Sequence, residues 1–417
     1  MKYRDRCTCL LKDSGGGWLG SPEKKGWFIR FGEPKGLFYS INGSVTLQSG
    51  TGILETTRHP LSALECCLSE GYIAAGYIGY EYSAYTDSGF IPKRVKEGDR
   101  FPDMKFLLFR EEDMSTGHLG AMKFYSDNER NVSGNLMQLE YPGYEFMSNM
   151  SKDEYIRMVN VAKRYIKDGD IYQVNLSQRF ISNYSLHPLE YFLRLFHVQH
   201  VPFGCYMDFG DFQLISGSME LFLQKIGDRL VTRPIKGTWH RGKTPESDII
   251  KKAKLVSSEK ERAENLMIVD LMRNDLSRVC VRGSVRVRRL FDIESYSTLH
   301  QMVSEVEGHL KQDHSISSII GNIFPPGSVT GAPKRRSLEV IDELEPHYRG
   351  PYCGAIGLFF PNGDFTLSVG IRLMTTKSGR ATYWTGGGIV WDSDPEGEYE
   401  ETLLKSLAIK KALGLME

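Results

Sequence analysis

A chain of 417 residues with 52 Lys+Arg against 52 Asp+Glu carries no formal net charge, so no bulk field draws it to nucleic acid or to an anionic membrane surface. Small molecules and protein partners are the classes left, and the length suits one large domain or two interlocked halves. Seven cysteines, an odd number scattered without any C-x-x-C, indicate neither a disulfide framework nor a cysteine zinc site.

The opening "MKYRDRCTCLLKDSGGG" has basic residues but almost no apolar run. It does not read as a secretory signal, and nothing downstream approaches a membrane span of ~20 apolar residues, so a cytoplasmic protein is expected. Residues 1–145 alternate short apolar runs with Gly, Ser and Pro, as in "GYIAAGYIGYEYS", and predict strands with turns. At Ser151 the pattern changes. "SKDE" is a capping box, and Tyr155, Met158, Val159, Ala162, Tyr165 and Ile166 follow at helical spacing up to Gly169. The expected division is therefore an N-terminal part, 1–145, and a catalytic part, 146–417.

"IYQVNLSQRFI" reads as a strand, "SEKE" opens a capped helix at Ser258, and "SVRVRRL" alternates as a strand. "YCGAIGLFFPNGDFTLSVGIRLM" predicts two strands joined around Asn362-Gly363. "DPEGEYEETLLKSLAIKKAL" predicts a closing helix with Asp394 as N-cap and Pro395 in the first position. Strands and helices in mixed order favour an α+β fold with antiparallel sheets over a doubly wound one.

Three groups of residues can carry chemistry. Glu261 and Glu264, and likewise Glu398 and Glu401, are three apart on predicted helices, so each pair shares a helix face. Either pair alone reads as an acidic helix start; two such faces meeting would form an all-oxygen site suited to Mg²⁺. "FPPGSVTGAPKRR" and "TGGGIVWDSDPEGEYEET" are glycine-rich. The first is expected to present backbone N–H groups at a helix start holding Pro333, and the second to let the backbone approach a ligand. Neither matches a nucleotide phosphate loop. Arg372, expected in the hairpin strand "SVGIRLM", could clamp a carboxylate. Lys236 in "RPIKGTWHRG" needs a depressed pKa to act as a nucleophile, and Glu220 in "ISGSMELFL" could stay protonated as an acid.

"DIYQVNLSQRF", "RPIKGTWHRG", "ERAENLMIVDLMRNDLSRV", "FPPGSVTGAPKRRSLEVIDELEP", "RGPYCGAIGLFF" and "GGGIVWDSDPEGEYEET", in this order, resemble the chorismate-utilising enzymes over residues 150–413. The resemblance implies a sandwich of two mainly antiparallel β-sheets flanked by helices, acting on chorismate with Mg²⁺. It puts Glu264 and Glu401 where the family holds the metal directly and Glu261 and Glu398 where support runs through water. Tyr352 and Arg372 match positions that hold a substrate carboxylate, and Ser328, Gly387 and Gly388 match further substrate contacts. "LLKDSGGGW" is similar to a regulatory element of the family, so the N-terminal part could hold a regulatory pocket.

Two positions bear on the nucleophile. Isochorismate and salicylate synthases have a water-activating lysine where this chain has Gln173, and anthranilate synthases have alanine where it has Lys236. A lysine there is typical of the branch that aminates chorismate to 4-amino-4-deoxychorismate, with Lys236 as nucleophile and Glu220 as acid. Gln301 stands where many relatives have a histidine tied to pyruvate elimination, with His300 beside it. No cysteine lies on a Gly-x-Cys-x-Gly-like turn, so ammonia is expected from a separate glutamine amidotransferase subunit. An anthranilate synthase component and a silent chorismate-binding subunit are the alternatives.

Overall fold

The computed structural model describes residues 8–13, 17–18, 27–50, 52–56, 59–96, 98, 100–118, 146–184, 186–198, 200–296, 299–312 and 314–413. Two sheets carry the fold, and every strand pairing among the described residues is antiparallel. The first runs Gly331–Ala332, Gln173–Asn183, Arg380–Ile389, Leu373–Lys377, Gln213–Ser218, Phe203–Asp208, Cys9–Asp13, Trp27–Phe31, Met114–His118. The second runs Ile235–His240, Leu299–His309, Arg229–Arg233, Leu221–Ile226, Phe365–Val369, Ala355–Phe359, Ile73–Ile78, Met104–Phe109, Gly36–Ile41, Ser44–Ser49, Gly52–Thr56, with Arg286–Ser295 also on Leu299–His309. Strands from residues before 119 enter both sheets, through Cys9–Asp13 beside Phe203–Asp208 and Ile73–Ile78 beside Ala355–Phe359.

The period-2 alternation of a strand decides which core each residue fills. Leu11 and Leu214 join the large cluster shared with Phe106, Ile356 and Leu367 of the other sheet. Their neighbours Leu10 and Ile215 point the other way, into a smaller cluster with Phe180, Met374 and Tyr383. Helices Pro188–Val198 and Pro395–Leu413 cover that second face. On the other sheet, helix Glu259–Val279 packs across Ile235–His240 and Leu299–His309. The fold is thus the α+β sandwich expected from the sequence.

Helix Lys152–Lys167 starts with the reciprocal Ser151 and Glu154 capping box, and Asp394 caps the last helix by accepting from the Gly397 amide at 2.9 Å. At Ser258 only half the box forms. Its hydroxyl accepts from the Glu261 amide, while the Glu261 carboxylate accepts from the Trp239 indole. In "TGGG", Gly386, Gly387 and Gly388 are interior to strand Arg380–Ile389, paired with Ser177, Leu176 and Asn175. Pro333 is the residue before helix Lys334–Leu344 rather than within its first turn. Arg372 lies outside the hairpin strand, which ends at Val369. The chain leaves the second sheet there and enters the first at Leu373, and Arg372 takes a φ of +49° in the link.

Candidate active site

The chain passes between the two sheets at two adjacent places. Strand Gln213–Ser218 lies in the first sheet and Leu221–Ile226 in the second, so Met219 and Glu220 form one crossing. Gly370, Ile371 and Arg372 form the other. The crossings are bonded to each other, with the Val369 amide on Glu220 O at 3.0 Å and the Gly217 amide on Arg372 O at 2.9 Å. Where strands change sheets, side chains from both meet. A cavity of about 770 Å³ opens here, lined by Glu220, Lys236, Glu261, Glu264, Ser328, Tyr352, Arg372, Gly388, Glu398 and Glu401 among others.

Of the residues given a catalytic, substrate-binding or metal-binding role from the sequence, Gly387 is the one outside this lining; Gln173 and His300 also lie outside it. The missing side chain of Gly387 makes room for Glu398, because a Cβ there would sit 2.6 Å from Glu398 Oε2. A Cβ on Gly388 would lie 3.2 Å from Lys236 Nζ and 2.5 Å from Gln173 Nε2, so the amine owes its place to the bare backbone opposite. From "FPPGSVTGAPKRR" the wall takes Ser328 and Val329, and no residue of helix Lys334–Leu344.

Glu220 is buried, and burial pushes its carboxyl up to about 7 against hydrogen bonds from Ser328 and the Ile235 amide and the charge of Lys236. Lys236 is half-buried on strand Ile235–His240. Desolvation lowers its pKa, opposed first by the Glu264 carboxylate and helped by the charge of Lys405. A carboxyl raised toward neutrality and an amine lowered by burial thus face one space. Arg372 donates to the Lys405 carbonyl and has no carboxylate in ion-pair range among the described residues, which leaves its guanidinium available to an anion.

The four glutamates come from two helices that belong to different layers. Burial and then the Glu264 charge raise Glu261, and Glu398 is raised by burial and, against a hydrogen bond from Ser393, by Glu401. Lys405 answers this crowding, with Nζ 2.6 Å from Glu401 and 2.9 Å from Gly386 O. Among the described residues no three carboxylate, imidazole or thiolate groups are already grouped closely enough to enclose an ion. The donor set nonetheless fits a hard divalent cation, being all oxygen, mutually repelling and already drawing a lysine ammonium.

Sequence reasoning missed Lys405, which was readable as the i+4 partner of Glu401, and Arg349. Gln173, named from the sequence for its bearing on the nucleophile, is fully buried beside Lys236 with neither amide atom bonded among the described residues, and nothing local announced that burial. His300 and Gln301 separate by strand alternation. Gln301 lines the cavity, whereas His300 bonds Asp248 at 2.9 Å and Ser295 at 2.8 Å and is not part of the wall. Beneath the site, buried Arg349 holds Glu345 at 2.6 and 2.8 Å and donates to Asn175 O at 2.7 Å and Val329 O at 3.1 Å, tying two wall segments together.

Comparison with known proteins gives a consistent picture. The profile of the chorismate binding enzyme family matches residues 18–411. Aminodeoxychorismate synthase component 1 of Bacillus subtilis (strain 168) is 38% identical over 366 residues, covering 82% of this chain and 77% of that protein. Anthranilate synthase component 1 1 of Haloarcula marismortui is 42% identical over 268 residues, covering 64% of this chain and 55% of its own. The crystal structure of anthranilate synthase component I from Streptococcus pneumoniae TIGR4 superposes with a TM-score of 0.75 at 28% identity, covering 92% of each chain.

Proposed function

The chain belongs to the chorismate-binding enzyme family, and from that premise we propose that it aminates chorismate to 4-amino-4-deoxychorismate, a step toward p-aminobenzoate and folate. The observation that carries this reading is the presence of Lys236 and Glu220 in one cavity wall with Arg372 and Tyr352, with burial raising the Glu220 carboxyl to about 7. The likeness to a relative named aminodeoxychorismate synthase over most of both chains supports it.

Lys236 Nζ attacks C2 of the ring as an unprotonated amine. The ring double bonds shift, the C4–O bond breaks, and Glu220 gives its proton to the departing hydroxyl, which leaves as water. Ammonia then attacks C4, the C2–N bond breaks, and Lys236 leaves as the free amine. The ammonium formed at C4 returns a proton to Glu220. Arg372 and Tyr352 hold a substrate carboxylate, and the missing side chain of Gly388 leaves room for the Lys236 amine beside the ring. Glu264 and Glu401, with Glu261 and Glu398 behind them, would hold Mg²⁺. When bound, the ion would neutralise the ring carboxylate and lower the proton affinity of the nearby amine.

Gln173 in place of a lysine speaks against water as the nucleophile, and His300, turned to Asp248, is not placed to act in pyruvate elimination. Ammonia would come from a glutamine amidotransferase partner. The test is chromatography of the product made from chorismate, ammonia and Mg²⁺, with and without an aminodeoxychorismate lyase. 4-Amino-4-deoxychorismate that yields p-aminobenzoate only with the lyase is expected; anthranilate would assign the other branch, and no product would leave a silent binding subunit. Mass spectrometry without ammonia should show a chorismate-derived adduct on Lys236, absent in Lys236→Ala; activity surviving in that variant would remove the lysine from the chemistry.

A further inference from the structure

Three ammonium groups of the cavity wall have no part in the chemistry described above: Lys251 on helix Pro245–Ser257, Lys260 on helix Glu259–Val279 and Lys411 on helix Pro395–Leu413. Lys260 and Lys411 are exposed and Lys251 is half-buried, so all three stand where the wall meets solvent. None has a carboxylate in ion-pair range among the described residues, whereas Lys405 in the same wall has Glu401. Lys251 donates to the Arg241 carbonyl at 3.2 Å, which leaves its charge uncompensated. Lys260 sits in the first turn of its helix, where the dipole disfavours a cation, and its charge reaches Glu261 and, on the last helix, Glu398 and Glu401. A single surface lysine is ordinarily just solvated. Three from separate helices around one opening, on a chain of zero formal charge, make a local positive field that the bulk composition hides. Where the four glutamates hold a divalent cation, as read above, their charge is neutralised and that of the rim is in excess.

The chorismate reading, on which this inference rests, supplies a ligand to match, because chorismate has two carboxylates and is a dianion at neutral pH. We propose that Lys251, Lys260 and Lys411 form an electrostatic collar that draws chorismate into the cavity and raises its association rate. Attraction of this kind acts on the approach, is screened by salt, and speeds capture by about tenfold or more. Once seated, the substrate is held in that reading by Arg372 and Tyr352, so the collar governs entry and has little hold on departure.

The test is stopped-flow mixing of the full chain with chorismate at saturating Mg²⁺ and without ammonia, followed by the fluorescence of Trp239 and Trp384, both in the wall. Raising salt from about 0.01 M to about 1 M shortens the Debye length from ~30 Å to ~3 Å, and the wild-type association rate constant is expected to fall about tenfold. Lys260→Met combined with Lys411→Met should associate about fivefold more slowly at low salt and lose no more than about twofold on adding salt, with a dissociation rate within about twofold of wild type. Lys252→Met combined with Lys254→Met removes the same charge from helix Pro245–Ser257 outside the wall and should keep the wild-type salt dependence. Lys411→Met alone, about 15 Å along its helix from Glu401, should lose about twofold at low salt, which separates the collar from any change in Mg²⁺ binding. An unchanged salt dependence in the collar variants, or an equal loss in the Lys252 and Lys254 variant, would overturn the proposal and leave the amination reading untouched. A protein with the expected salt dependence that makes no amino product would sink that reading and leave this one standing; no association with chorismate at any salt would sink both.

Discussion

Glu220 couples the acid role to stability. Its folded carboxyl keeps a proton up to about 7, whereas in the unfolded chain it ionises near the ordinary 4.5. Between those values the folded state holds the extra proton, so stability falls as pH rises through the window and is lowest above it. The full effect is about 3 kcal/mol. Glu220→Gln has no such dependence, so its melting temperature should match wild type near pH 4 and exceed it at pH 8, by calorimetry; a constant difference would show that Glu220 is not held protonated. In the proposed mechanism this proton goes to the leaving hydroxyl, so kcat/KM should decline as pH rises through about 7, and the variant should be inactive at every pH. The glycines opposite Lys236 separate in the same way. A methyl on Gly388 meets two side-chain ends that can swing aside, Gln173 Nε2 and Lys236 Nζ. Gly388→Ala should therefore melt close to wild type but lose on the order of 10²-fold in kcat/KM through the displaced amine. In Gly386→Ala the methyl meets the Leu176 carbonyl at 2.5 Å, which cannot swing, and a loss of about 1–3 kcal/mol in stability is expected.

Among the elements, strand Gln173–Asn183 and the turn Gly327–Val329 are held by one buried guanidinium. Arg349 meets the carboxylate of Glu345 with two nitrogens and reaches carbonyls of Asn175 and Val329. Glu345 in turn accepts from the Ser177 amide at 2.7 Å. Removing one partner leaves the other charge buried and unpaired, so Arg349→Ala should cost about 3–5 kcal/mol in chemical denaturation. Arg349→Met combined with Glu345→Leu should recover much of that, since no lone charge remains. A double variant no better than the single would mean that the carbonyl contacts, not the ion pair, carry the stability. The helices bearing the glutamates were readable one by one from Ser258 and Asp394, because a cap is a contact within four residues. That Glu261 leaves its capping box for Trp239 was not, because the competing donor lies on a strand of the second sheet.

At the scale of the molecule, the two crossings between sheets make the site, and the cavity is open to solvent rather than sealed within either core. An ammonia-dependent activity should be measurable with ammonium salts, and glutamine should support it only when an amidotransferase partner is added; glutamine use by the chain alone would refute the two-subunit reading. The sequence by itself determined the helix starts at Ser151, Ser258 and Asp394, the Asn362-Gly363 hairpin, the mixed antiparallel class and which residues were candidates for chemistry, because capping, turn conformation and strand period are local and the motifs keep their order. Tertiary structure alone decided that "TGGG" is a strand, that Arg372 sits in a link at positive φ, that Gln301 faces the cavity and His300 does not, and that Lys236 and Glu220 meet. Burial and proximity between segments distant in the chain depend on which strands pair and where the chain changes sheets, and no local pattern encodes either.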